Sequence, residues 1–151
     1  HPQPRARAAL MFSPTRDEAR RFLVDAWAKY CGGQPLSPLE QTAVALIARH
    51  PEYHAVLEQP DRHLARDWTP EQGETNPFLH LQMHIAVAEQ LSIDQPPGIR
   101  AQFERLREAR GDEHAALHAL VECLGETLWQ AQRGGGPPDA ATYLACLDRA
   151  R

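Results

Sequence analysis

The sequence predicts an all-α fold, a single-domain bundle of five or six helices, on three observations. Apolar residues recur with a period near 3.6 over most of the chain. Proline and glycine cut the chain into units that open with residues able to cap a helix. Alternating apolar and polar runs of the kind that make strands are almost absent. At 151 residues the chain has the length of one domain, which buries roughly 70% of its unfolded surface and needs no cross-link to hold a core.

The first helix is expected from Ser13-Pro14, with Thr15 and Glu18 as a capping box, through Phe22, Leu23, Ala26, Trp27 and Tyr30 to the stop at Gly32-Gly33. The second opens at Ser37-Pro38, with Glu40 three residues after the serine. It buries Leu39, Ala43, Leu46 and Ile47 and ends near His50, because Pro51 disfavours helix in the residue before it. A short helical turn follows from Pro51 to about Glu58.

Residues 59–75 carry Pro60, Pro70 and Gly73 without a sustained period and read as a crossing loop, held down by Trp68. Asn76-Pro77 opens a helix to about Ser92. The Asp94–Gly98 corner, with Pro96 and Pro97, leads to an Arg-rich helix over about 98–110. After Gly111, Asp112 caps a long helix to about Arg133, and the glycines 134–136 with Pro137-Pro138 form a hinge before a terminal helix at 139–150 that packs Tyr143, Leu144 and Leu147. Residues 1–10 are expected to be an upstream extension or a cloning remnant without order, with Met11 as the natural start.

Composition excludes several function classes. A net charge of −4 gives no electrostatic reason to bind nucleic acid or an anionic membrane, and no apolar run approaches the ~20 residues of a membrane span. The expected location is the cytoplasm. Fifteen of the sixteen basic residues are Arg, and those at 100, 105, 107 and 110 alternate with Glu104 and Glu108 as a solvated helix face. Cys31, Cys123 and Cys146 are odd in number and lack C-x-x-C spacing, so all three are read as structural thiols in a reducing compartment. No nucleophile elbow, phosphate loop or dinucleotide fingerprint occurs, and enzyme status stays open.

The histidines carry the one pattern that resembles chemistry. Three pairs stand at i, i+4: His50/His54, His80/His84 and His114/His118. Random placement of eight histidines gives about 0.4 such pairs, so helical periodicity is the better account. Pro51 breaks the first pair, which leaves the other two to project from helical faces. His114, His118 and Glu122 form a ladder beside the stripe Leu117, Leu120, Val121, Leu124 and Leu128.

Imidazoles one turn apart can converge on an ion at about 2.0–2.1 Å. His80, His84, His114, His118 and Glu122 are therefore the expected ligands of one transition metal ion, Zn, Fe, Mn or Ni, with an open position for water or a small molecule. The competing reading packs the histidines in the core, bound to carbonyls, carboxylates or one another. The chain is then a non-enzymatic module for a protein partner or a homodimer. The Glu-x-x-His pairs of ferritin-like di-iron bundles and the H-E-x-x-H of zinc proteases are absent. The haemerythrin pattern is matched only in part, by His54 with Glu58 and by His80 with His84, and no His-x-x-x-x-Asp follows His114. For Glu89, Asp94 and Arg100, helix capping and surface pairing is the leading reading.

The segments MFSPTRDEARRFLVDAWAKY, HPEYHAVLEQPDRH, GETNPFLHLQMHIAVAEQLSIDQPPGIR and GDEHAALHALVECLGETLWQAQR resemble the proteobacterial family of domain of unknown function 1841. The likeness runs from about Met11 to Leu147. It implies a bacterial, soluble protein with Met11 as its start, and it transfers no catalytic residue.

Overall fold

A computed structural model describes residues 16–68 and 76–151. Every regular element among them is helical: α1 (Arg16–Cys31), α2 (Pro38–Ala48), a 3₁₀ turn (Pro51–Tyr53), α3 (His54–Leu57), α4 (Pro60–His63), α5 (Pro77–Ile93), α6 (Ile99–Arg110), α7 (Glu113–Gly134) and α8 (Ala140–Ala150). Eight α-helices among the described residues exceed the expected five or six. Beyond the six longer helices stand two single turns: α3, which falls in the helical turn expected over 51–58, and α4, which is an addition. Helix α4 corrects the reading of 59–75 as a loop without an element, because Pro60 at the first helical position starts a turn that propensity alone does not announce. The predicted Ser13-Pro14 start with its Thr15 cap, residues 1–10, and the 69–75 part of the crossing segment lie outside the described residues.

The caps follow the side chains that predict them. Ser37 Oγ accepts from Glu40 N while Glu40 Oε1 accepts from Ser37 N at 2.8 Å, a complete capping box. Asn76 Oδ1 accepts from Leu79 N, and Asp112 from Ala115 N. Helix α6 stops at Gly111, whose φ of +71° lets its N–H reach back to Arg107 O. Arg100 donates to Leu91 O and Ser92 O at the end of α5, and its own N–H bonds Asp94 Oδ1. Asp94 and Arg100 are thus helix-terminating groups.

The chain divides into two compact units, one ending at Ile85 and the other starting at Ala86. The first unit packs α1 on α2 around Leu23, Trp27, Ile47, Leu57, Phe78 and Leu81. Tyr30, expected in the core stripe, is 52% exposed, because the stripe runs out at the last turn of α1.

Arg20 takes an interior place that the wheel of apolar residues does not assign it: it is only 2% exposed. Its guanidinium donates to Leu64 O and Arg66 O and lies over the rings of Trp68 and Phe78. Arg66 also lies over the Trp68 ring, at 4.8 Å, so Trp68 anchors the crossing segment as predicted. Arg20→Met keeps the stem and removes the donors, leaving two carbonyls unpaired. It is expected to cost about 2 kcal/mol, read as a Tm lower by roughly 4–8 °C.

His63 beside Trp68 has a buried Nδ1 without a partner. Desolvation, then the charges of Arg62 and Arg66, lowers its pKa. The unfolded chain therefore takes up this proton first as pH falls. The stability contribution is whole above about pH 6.5 and is lost as pH drops towards the lowered folded value. Denaturant titrations of a His63→Phe variant between pH 7 and pH 5 should show a shallower loss of stability than those of the parent.

In the second unit, α6, α7 and α8 pack together around Ile99, Leu106, Leu120, Leu124, Tyr143 and Leu147. Tyr143 is buried and donates through its hydroxyl to Gln90 Oε1 at 2.7 Å. Desolvation raises its pKa well above the ordinary tyrosine value, so it stays a donor. Cys123 and Cys146 form a disulfide between α7 and α8, which corrects the reading of three unpaired thiols. They stand 23 positions apart in sequence, across the Gly/Pro hinge, so no local spacing rule could pair them. Cys31 is a free, exposed thiol.

Candidate metal centre

The centre lies in the first unit and starts from Pro51. The proline ends α2 at Ala48, and the residue before it leaves the helical region, with His50 at φ −124° and ψ 65°. Its ring turns back along α2, where Nδ1 donates to Leu46 O at 2.7 Å. A carbonyl only accepts, so the proton sits on Nδ1 and the lone pair of the neutral ring is on Nε2.

Helix α5 supplies the other two members. Asn76 and Pro77 fix its first turn, which places His80 and His84 one turn apart with Nε2 atoms 3.1 Å from each other. Their ring centroids are 4.7 Å apart, and the His50 ring lies 5.2 Å from His80 and 5.0 Å from His84. One ring nitrogen from each of the three falls within 4.8 Å of the others. His50 and His84 are buried and His80 is half-buried. Tyr53 stacks parallel to His50 at 5.5 Å and meets His80 edge-on at 5.9 Å.

Two expected residues, His80 and His84, thus come together, with His50 as a third that periodicity sets aside. Pro51 does keep His50 and His54 off a shared helical face, as expected. It does not remove both from the site: the break that separates them is what turns His50 towards α5. His54 goes the other way. Its Nε2 bonds Ile47 O at 2.8 Å and its ring packs on Trp27, whose indole N–H is taken by Glu58. The His54 and Glu58 of the partial haemerythrin pattern therefore serve the core.

His114, His118 and Glu122 stand on α7 in the second unit. The two histidine rings pair at 4.4 Å between centroids, with His114 exposed and His118 half-buried, and Glu122 is exposed. Among the described residues, the group of ligand-type side chains close enough to share one ion consists of His50, His80 and His84.

Three nitrogens at a metal–nitrogen distance of about 2.0–2.1 Å in a tetrahedral shell stand about 3.3 Å apart. The His80–His84 separation of 3.1 Å is near that value, and a His50 ring nitrogen lies within 4.8 Å of the other two. The Leu46 carbonyl behind His50 is the kind of outer partner that orients a ligating imidazole.

The fold and the cluster define an all-helical protein with a three-imidazole group at the junction of a broken helix and an intact one. The chain belongs to the family described as domain of unknown function (DUF1841), whose model matches residues 15–149. No curated protein and no solved structure matches the chain. No described helix is long and apolar enough to cross a membrane.

Proposed function

We propose that the chain binds one divalent transition metal ion through His50, His80 and His84. The observation that carries this is the convergence of three imidazoles from two elements, one with its Nδ1–H already held by a carbonyl. An all-nitrogen donor set suits zinc, iron, nickel or copper and disfavours manganese, which prefers carboxylate and water oxygens. The five-ligand set that includes His114, His118 and Glu122 predicts a different outcome in the same experiment.

Elemental analysis of protein purified without a histidine tag should give near one equivalent of metal. His84→Ala should remove it, and His118→Ala should keep it. Loss in both variants favours the larger set. Metal-free parent protein that also takes up no zinc on dialysis sinks the proposal.

A further inference from the structure

The i, i+4 pair on α7 stands in the second unit, and what it can bind does not depend on the metal-binding reading of the first. His114 and His118 lie one turn apart with ring centroids 4.4 Å from each other. That is closer than the 4.7 Å of His80 and His84, whose Nε2 atoms are 3.1 Å apart. Two imidazoles on neighbouring positions of one ion, each at about 2.0–2.1 Å from it, have nitrogens roughly 3 Å apart, so rings spaced as these are suit a two-point chelate. Chelation takes one nitrogen of each ring. His118 has a further interaction, and a neutral imidazole that bonds through one nitrogen keeps the other for an ion.

The surroundings differ from those of the buried group. His114 is exposed and His118 half-buried, so an ion reaches the pair directly from solvent. The carboxylates of Glu113, Glu122 and Glu126 on the same helix favour a cation. Asp112 and Glu113 also offset the positive end of the helix dipole, which by itself disfavours a cation in the first turn. Among the described residues no third ligand-type side chain closes on the pair as His50 does on His80 and His84. The fold therefore imposes no coordination geometry, and preference follows the intrinsic order for nitrogen donors, in which copper(II) stands above nickel(II) and zinc(II).

We infer that His114 and His118 form a second metal site, a solvent-facing two-imidazole chelate for divalent copper, with water in the remaining positions. Binding is plain ligation: the ion exchanges bound water for two ring nitrogens, and no electron moves. Two ligands hold the ion loosely, so dialysis removes it and the single equivalent expected of the three-histidine group is unaffected.

Copper(II) chloride is titrated into the full chain in a non-coordinating buffer, with Cys31 alkylated so that copper does not oxidise its thiol. Amide NMR signals of residues 112–122 should broaden saturably, and nickel(II) should perturb the same residues at higher concentration. His114→Ala should weaken this binding at least about tenfold, since loss of even an outer partner of a ligand costs that much. The His114 side chain is exposed, so its removal does not endanger the fold. Signals of α7 that stay sharp, or that broaden equally in His114→Ala, overturn this inference. If residues around His50, His80 and His84 broaden in that case, the metal site of the first unit still stands. Broadening on α7 alone supports the chelate and counts against copper at the first site, and broadening nowhere overturns both.

Discussion

Replacing His50 by alanine should lower zinc affinity by at least about 100-fold, whereas replacing His54, four residues away, should leave it within a few-fold and destabilise the fold instead. Loss of an outer partner costs about 10–100-fold in metal affinity, so loss of a direct ligand belongs at or beyond the top of that range. His54 offers nothing to the ion: its Nε2 is held by Ile47 O and its ring covers Trp27. His54→Ala removes one partly buried hydrogen bond and a ring contact, about 1–2 kcal/mol. Competition with a chromogenic chelator gives the affinities, and thermal melts of the metal-free proteins give the stabilities. Two histidines of one His-x-x-x-His motif would then separate completely by assay. Equal effects of the two variants on affinity would show that the pair acts as a unit and that the described geometry does not govern binding.

Changing Cys146 to serine, or reducing the protein, should cost about 3 kcal/mol of stability, because the bond closes a loop of 23 residues in the unfolded chain. The expected Tm loss is roughly 6–12 °C. Other attachments hold α8 in the native state, among them Gln102 to Asp148 at 2.7 Å, Arg110 to Ala150 O and the buried Tyr143 and Leu147. The variant should therefore still fold, with the far-UV spectrum of the parent. A melt that does not respond to dithiothreitol, in protein shown by mass to be oxidised beforehand, would contradict the assignment. A variant that unfolds α8 outright would instead show that those other attachments do not suffice to hold the helix.

The elements that can be read from the sequence are those whose signals are local. Ser37 with Glu40, Asn76 with Pro77 and Asp112 each mark a helix start within four residues, and the structure places helices there. The features that escape such a reading are those whose cause lies far along the chain. Arg20 is buried because carbonyls 44 and 46 residues away accept from it, and nothing near Arg20 announces them. Cys123 meets Cys146 only after the hinge at 134–138 returns the chain. The three-histidine group is half legible. The spacing of His80 and His84 shows that they share a face, while His50 enters through a helix break that periodicity counts only as a loss. The excess of i, i+4 pairs is the available signal, since it singles out all three pairs, His50 among them, before any weight is given to Pro51.

Cys31 acquires a practical meaning from the pairing of the other two sulfurs. In the oxidised protein it is the single nucleophilic thiol, and it is exposed at the end of α1 in the same unit as the three histidines. A nitroxide or fluorophore attached there without reductant therefore goes to one defined place. Its relaxation or quenching by a bound paramagnetic ion turns occupancy of the centre into a distance, read on an intact chain with no histidine altered.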